Sequence, residues 1–462
     1  MSTRSGSRVS TLVFPLLLLS AGCGGENGDA NDGGSGGSSA HSGGTGASTG
    51  GAGGANAGGS GTATGGTSTN SGGSGTAGSG SGGTSGNTGG TSAGGTSGNT
   101  GAGGSGIIPA EGCDSNQEPG TWANVTPGTM KMSGDFIDGP IGALVDPVHT
   151  SDIYVVAQYD GCWKSTNCGI TWEKVSTGEN AGALNSGRQW YSAIDPNPDR
   201  DPETPPTLYA TAGFGAGGVW KSTNGGVDWA NVWNTLYKAD GTTNITSDVG
   251  SDVSGVMIAG STGPDHLLAF LHGYWGSGDN NGVFESTDGG GTWRVHVSSN
   301  FAFQAHGDTV FPVNDSTWVV GHGEMFRTTD SGSTWNSAGN VGTAAVGRFW
   351  WFSGDTIYAG SDAWGHAFKS TDQGASWVSL DAGGHVFWIV ATATNAYLSD
   401  SVNGGGPHIW HASLDNDSEW TDDGNPEGMN ANGSRATVTF DGDHYIIIAA
   451  QETGGLWRYV EP

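Results

Sequence analysis

One nine-residue pattern recurs along the C-terminal part of this chain and limits what it can fold into. It reads KSTNCGITW at 164–172, KSTNGGVDW at 221–229, ESTDGGGTW at 285–293, RTTDSGSTW at 327–335 and KSTDQGASW at 369–377. A large aromatic precedes each copy: Trp163, Trp220, Phe284, Phe326 and Phe368. A degraded sixth copy, IWHASLDNDSEW, carries Trp410 and Trp420, and GGLWRYV closes the chain as a half-copy with Trp457. From Phe284 to Trp410 these aromatics stand 42 residues apart. A fixed step of that length marks a stacked or radial array of one supersecondary unit.

The residues before each turn alternate and are aromatic-rich, as in GGVWKS and HAFKS, which reads as a strand. In the turn, Asp or Asn can bond its own backbone and Gly supplies a positive φ. The Ser or Thr hydroxyl adds local bonds, and the closing Trp has a large surface to bury between neighbouring units. These stretches resemble the Asp-box (BNR) repeat, S-x-D-x-G-x-T-W, and the resemblance covers most of 107–462. It implies an Asp-box β-propeller, a family that includes sialidases, xyloglucan-cleaving endoglucanases, sortilin-type receptors and photosystem assembly factors. In that family the turn lies between the third and fourth strands of a blade, away from the ligand face.

The chain ends give the blade count. GGLWRYV supplies a third strand without a fourth, and GTWANVTPG at 120–128 supplies a fourth strand, with Trp122, that has no third before it. The expected fold is therefore all-β, a seven-bladed β-propeller of four-stranded blades. Pairing of the N- and C-terminal strands closes it and removes the sheet edges. A six-bladed ring with one irregular blade is the alternative.

Upstream, residues 24–106 are almost wholly Gly, Ser, Thr, Ala and Asn, with too little apolar surface to offset the entropy of ordering. They read as a flexible linker, which leaves 107–462 for the propeller. Residues 1–23 read as a signal peptide, with Arg4 and Arg8 before the apolar run TLVFPLLLLSAG. LLSAGC resembles a bacterial lipoprotein signal, which implies lipid on Cys23 and an extracytoplasmic, envelope-anchored or secreted location. Membrane contact is then expected only through that anchor. With Cys23 lipidated, Cys113, Cys162 and Cys168 remain, and an oxidising compartment permits one disulfide. Cys162 and Cys168 flank a tight turn and are the readier pair, with Cys113 bridging to either as the alternative.

The net charge of −29, with 15 Lys and Arg against 44 Asp and Glu, argues against nucleic acid as a partner. No Cys/His spacing reads as a metal site, and no cofactor motif is present. The chain is expected to be a monomer.

Chemistry is expected on the face opposite the repeated turns. Loops joining second to third strands there carry Asp160, His272, His322, Asp362 and Asp400, with the aromatics Tyr159, Tyr274, Trp275 and Trp364. The inner strands begin near Arg188, His306, Arg348, His385 and Arg435. In a propeller such starts ring the mouth of the central channel. Cations converging there suit an anionic ligand such as a uronate. Asp160, His272, His306 and His322 are the candidate acids and bases. The two Tyr, two Trp, three Arg, His385 and Asp362 are the candidate ligand contacts.

The N-terminal blades, WANVTPG…GALVDPVHTSDIYVVAQYDGCWKS and SAIDPNPD…PTLYATAGFGAGGVWKSTNGG, resemble one propeller of xyloglucanase-type glycoside hydrolases. On that resemblance Asp160 falls near the catalytic base position. Those enzymes cut in a cleft between two propellers, with one carboxylate from each, whereas this chain holds a single propeller. The sialidase Arg-Ile-Pro motif is absent, so sialidase activity is not expected. Propeller-shaped polysaccharide lyases, by chemical analogy, pair Arg with a His or Tyr base. The expected function is a surface-tethered protein that binds polysaccharide and cleaves it by lyase or glycoside hydrolase (glycosidase) chemistry. The alternative is a non-catalytic module for carbohydrate or protein binding, or for assembly.

Overall fold

Apolar residues occupy successive positions of the inner strands, as in Ile153–Gln158, where all six residues are buried. A strand of that kind is covered on both faces, and a ring of packed sheets provides both covers. The computed structural model describes residue 113 and residues 116–132, 139–213, 217–260, 263–271, 280–298, 309–321, 324–339, 346–353, 356–361, 367–401, 407–429, 433–451 and 453–462. The side chains of 188–190, 346–353, 361, 401 and 433–434 lie outside that description.

Seven antiparallel blades follow in chain order, with innermost strands Gly139–Val145, Arg188–Ile194, Val253–Ile258, Thr309–Pro312, Val346–Ser353, His385–Ala391 and Gly433–Phe440. The seventh blade takes its outer strand, Trp122–Asn124, from the N-terminal side. Trp122 lies opposite Tyr459 and Asn124 opposite Trp457, which closes the ring as expected. Blade 3 departs from the four-strand plan. Leu236–Tyr237 adds a fifth strand parallel to Trp293–His296, built from the longer segment between Trp229 and Val253.

Apolar cores lie between neighbouring blades, because alternate residues of a strand face opposite neighbours, and one of them runs on from blade 5 through blade 6 to blade 7. Val145, Ile153 and Val155 of blade 1 pack with Ile446 and Ile448 of blade 7. Leu144, Tyr154 and Val156 pack with Ile194 and Leu208 of blade 2.

The five repeated turns share one hydrogen-bond pattern. The hydroxyl of Ser165, Ser222, Ser286, Thr328 or Ser370 accepts from the amide four residues on, at 2.8–3.0 Å. The Asn or Asp two residues after each hydroxyl accepts from the amide four residues beyond itself. The closing Trp172, Trp229 and Trp377 each donate Nε1 to the glycine carbonyl three residues back, and the degraded copy keeps that bond, with Trp420 Nε1 donating to the Asp417 carbonyl at 2.8 Å.

The disulfide differs from the readier expectation of Cys162 with Cys168: Cys113 pairs with Cys168, and Cys162 is a free, buried thiol. The reason is geometric. Cys168 lies on the face of blade 1 that packs against blade 7, and Cys162 lies on the face that packs against blade 2. The sheet itself separates them. Burial pushes the Cys162 thiol up to about 12, so it is inert in the folded state.

The boundary between blades 3 and 4 carries a polar device. Glu285 bonds His266 Nε2 with one oxygen and His296 Nε2 with the other, both at 2.8 Å. Asp315 stands 3.5 Å from His266 Nδ1, and the His296 ring packs edge-on to buried Trp318. Burial opposes the charge on His266, but Glu285 and Asp315 outweigh it and raise its pKa. Burial likewise opposes the charge on Glu285, but the two imidazoles outweigh it and hold it down at about 2. The His266 contribution is therefore fully present below its unfolded value of about 6.5 and is lost as pH rises through the raised folded value. The Glu285 contribution is present above about 4.5 and is lost as pH falls toward 2. Stability should peak between about pH 4.5 and 6.5. His266→Gln should flatten the loss on the alkaline side and cost about 1.5–3 kcal/mol near pH 5.5, as read by denaturation midpoints across pH.

Candidate functional site

The turn Tyr159–Asp160 joins the second and third strands of blade 1. Tyr159 has φ 55, a left-handed conformation that costs a side-chain-bearing residue roughly 1–2 kcal/mol. Its amide donates to the Gly187 carbonyl at 3.0 Å, and Lys131 Nζ stands 5.2 Å from its ring centre. Cys168, Asn180, Ser331, Gln373 and Asp381 also take positive φ, so the conformation by itself marks a tight turn.

Asp160 is buried and held by three donors. Its Oδ2 accepts from the Lys131 amide at 2.9 Å and from Trp163 Nε1 at 3.2 Å, and its Oδ1 pairs with Lys174 Nζ at 2.8 Å. Blade 6 repeats the arrangement. Asp400 Oδ2 accepts from the Gly384 amide at 2.7 Å, and Oδ1 accepts from Trp410 Nε1 at 3.1 Å. In both blades the carboxylate ties the chain entering the innermost strand to the aromatic of the third strand. Burial is the main cause that raises the pKa of Asp400. Among the described residues no lysine bonds Asp400, so the two carboxylates share a structural role and differ in charge environment.

The channel-mouth residues are described in part. Arg188 and His385 begin their innermost strands, while Arg348 and Arg435 lie third in theirs. The side chains of Arg188 and Arg348 lie outside the described residues, and His385 is half-buried. Arg435 reaches over the ring of Tyr191, on the innermost strand of blade 2. Burial pushes its pKa well down. His272, Tyr274, Trp275, His306, His322, Asp362, Trp364 and Cys23 lie outside the described residues. The structure thus brings Tyr159 and Asp160 together in one turn, while Arg435 starts from blade 7 and its side chain lies along Gly142 of blade 1 and Tyr191 of blade 2. Lys174 and Tyr191 had no distinguishing signal in the sequence. The former is one of several solvated lysines, and the latter sits inside an apolar strand.

Among the described residues, one group of side chains has the spacing of metal ligands: Asp146, His149 and Asp152. Arg200 Nη2 occupies it, bonding both Asp146 oxygens at 2.7 Å. This is an ion-pair cluster.

No protein-family model matches the chain. It is 28% identical over 277 residues to the xyloglucanase Xgh74A of Acetivibrio thermocellus, covering 51% of this chain and 31% of that protein. It is 24% identical over 298 residues to a xyloglucanase of Hypocrea jecorina, covering 56% of this chain and 34% of the other. The chain therefore spans about a third of the length of these relatives. Among solved structures, the GH74 enzyme of Niastella koreensis is similar with a TM-score of 0.52 at 15% identity, over 74% of this chain and 55% of the other. At that identity the likeness concerns the fold: both are built on propeller blades.

Proposed function

We propose that this chain is an extracytoplasmic propeller that binds polysaccharide on the face carrying Tyr159 and Asp160. The observation that carries the reading is the strained Tyr159 turn, set beside Asp160 in a chain similar in sequence to xyloglucanases. An aromatic at a fixed angle next to a carboxylate suits a sugar ring, which offers an apolar face and a rim of hydroxyls. We also propose that the repeated turns are Asp-box repeats, that Cys23 carries lipid and that 24–106 is the tether. On this reading Cys23→Ser releases the protein from membranes.

Hydrolysis is the second reading, favoured by the resemblance of the N-terminal blades to xyloglucanase-type enzymes, on which Asp160 would fall near the base position. Its donors leave Oδ1 one lone pair for a water. A partner carboxylate for inversion should stand about 6.5–9.5 Å away, and one for retention about 5–5.5 Å.

The test uses the full chain on xyloglucan and on a uronate polymer, following binding, new reducing ends and unsaturated-uronate absorbance together. Binding without new ends supports the module reading. Reducing ends alone support a hydrolase acting through Asp160, and both signals on the uronate polymer support a lyase. Absence of binding to any polysaccharide would sink the proposal.

A further inference from the structure

A pocket of about 610 Å³ opens between blades 6 and 7, and all the residues that line it are described. It lies at the outer rim, between Trp122 of the outermost strand of blade 7 and Asp423 of the outermost strand of blade 6. Asn395 opens the second strand of blade 6, and Glu461 follows the third strand of blade 7. Both therefore stand at the ends of the blades that carry the repeated turns. Antiparallel strands put the Tyr159–Asp160 turn at the opposite ends.

Two polar atoms in this pocket are left open. The fourth strand of blade 7 comes from the N-terminal side, so no repeated turn precedes Trp122. Trp172, Trp229 and Trp377 give Nε1 to their own turns, and Trp293 gives it to the Val232 carbonyl at 2.7 Å. Trp122 Nε1 has no acceptor among the described residues and is not shut off from solvent. Glu461 is only 6% exposed. Four donors converge on its Oε1, among them Asn395 Nδ2 at 2.7 Å and the Tyr397 hydroxyl at 2.8 Å. Oε2 has no donor among the described residues and is likewise not shut off. A carboxylate pinned through one oxygen presents the other at a fixed position.

Rings and charges narrow the ligand. Tyr459 stands between Trp122 and Tyr397, at ring-centre distances of 5.0 and 5.7 Å. Trp122 and Tyr459 are half-buried, which leaves part of each ring to the pocket. Rings this close leave no gap for an ammonium group to enter as it enters an aromatic cage. Glu461, Asp423 and Glu427 line the pocket without any lysine or arginine, and His411 is paired with Asp423 at 2.7 Å. An anionic ligand would be repelled. What fits is an uncharged group with an apolar face for the rings, an acceptor for the indole N–H and a donor for the carboxylate. A neutral sugar ring offers all three, since each hydroxyl both donates and accepts. The chain itself is drawn away from the pocket. Upstream of Trp122, the disulfide ties Cys113 to Cys168 in the core between blades 7 and 1, on the other side of blade 7.

We propose that this pocket is a second saccharide site, which takes neutral sugar units on the face opposite Tyr159 and Asp160. It goes beyond the Tyr159 reading and does not depend on it. Trp122 Nε1 donates to a sugar oxygen, Glu461 Oε2 accepts from a hydroxyl, and the exposed parts of the Trp122 and Tyr459 rings cover the apolar face of the sugar.

The experiment titrates the isotope-labelled full chain with cellotetraose, tetragalacturonate and choline. It follows the indole N–H resonance of Trp122, assigned through its backbone connectivity so that no variant need fold. Cellotetraose should shift that resonance saturably, and the other two should not. The shift should also be seen in Tyr159→Gly, and on that background Trp122→Phe should weaken cellotetraose binding about three- to tenfold by calorimetry. A Trp122 resonance unmoved by cellotetraose, while the full chain binds xyloglucan through Tyr159, would overturn this inference alone. An equal shift with tetragalacturonate or with choline would overturn the neutral-sugar assignment. A cellotetraose shift in a chain whose Tyr159→Gly variant binds xyloglucan as well as the wild type would sustain this pocket and count against the Tyr159 face.

Discussion

Cys168→Ser is expected to destabilise the propeller by about 4 kcal/mol, from the chain-entropy cost of opening a loop of this length. The disulfide closes a sequence separation of 55 residues and joins the segment ahead of the closing strand to the repeated turn of blade 1. Arg458, on the third strand of blade 7, donates to the Cys168 carbonyl in the same place, so the bond holds the seam where the ring closes. Denaturant midpoints with and without reductant measure the effect. Cys162→Ser should leave the reductant effect in place, because Cys162 takes no part in the bridge. A seam variant as stable as the wild type would mean that the pairing of Trp122 with Tyr459 closes the ring unaided.

Asp160→Ala and Asp400→Ala are each expected to cost about 2–4 kcal/mol, since each strands buried N–H groups without an acceptor. Their stability losses should be alike, because both carboxylates bond an indole Nε1 and the amide of an entering chain. Their functional effects should differ. The milder variants Asp160→Asn and Asp400→Asn keep an oxygen acceptor. Asp160→Asn should lower polysaccharide binding or turnover by tenfold or more, and Asp400→Asn should leave it within about twofold. Equal functional effects would reduce Asp160 to the same structural pin as Asp400.

The fold was legible because its signal is repeated. Five copies of one turn, a degraded sixth and two unmatched terminal strands determine a count of seven blades without reference to any contact. The fifth strand of blade 3 was not legible, since Leu236–Tyr237 is two residues long and depends on the neighbouring Trp293 strand for its pairing. The disulfide was misread because spacing along the chain does not report which face of a sheet a side chain occupies. Cys162 and Cys168 are close in sequence and separated by the sheet. At the candidate site, Tyr159 and Asp160 stood out as a loop pair, but the strain on Tyr159 and the Lys174 bond of Asp160 are properties of folded geometry. Arg435 was legible as a cation near the start of an innermost strand, but its approach to Tyr191 two blades away was not, because sequence does not report which blades a long side chain crosses.

The measurement that tests the central claim most directly is polysaccharide affinity of the full chain and of Tyr159→Gly. Glycine adopts φ 55 without strain, so the substitution removes the ring and relieves the backbone together. The lost contact with Lys131 and the relieved strain nearly offset each other, and stability should change by no more than about 1 kcal/mol. Affinity should fall tenfold or more if the ring is a ligand contact, equivalent to about 1.4 kcal/mol. Undiminished affinity in Tyr159→Gly, with the fold intact, would contradict the claim that this face binds polysaccharide.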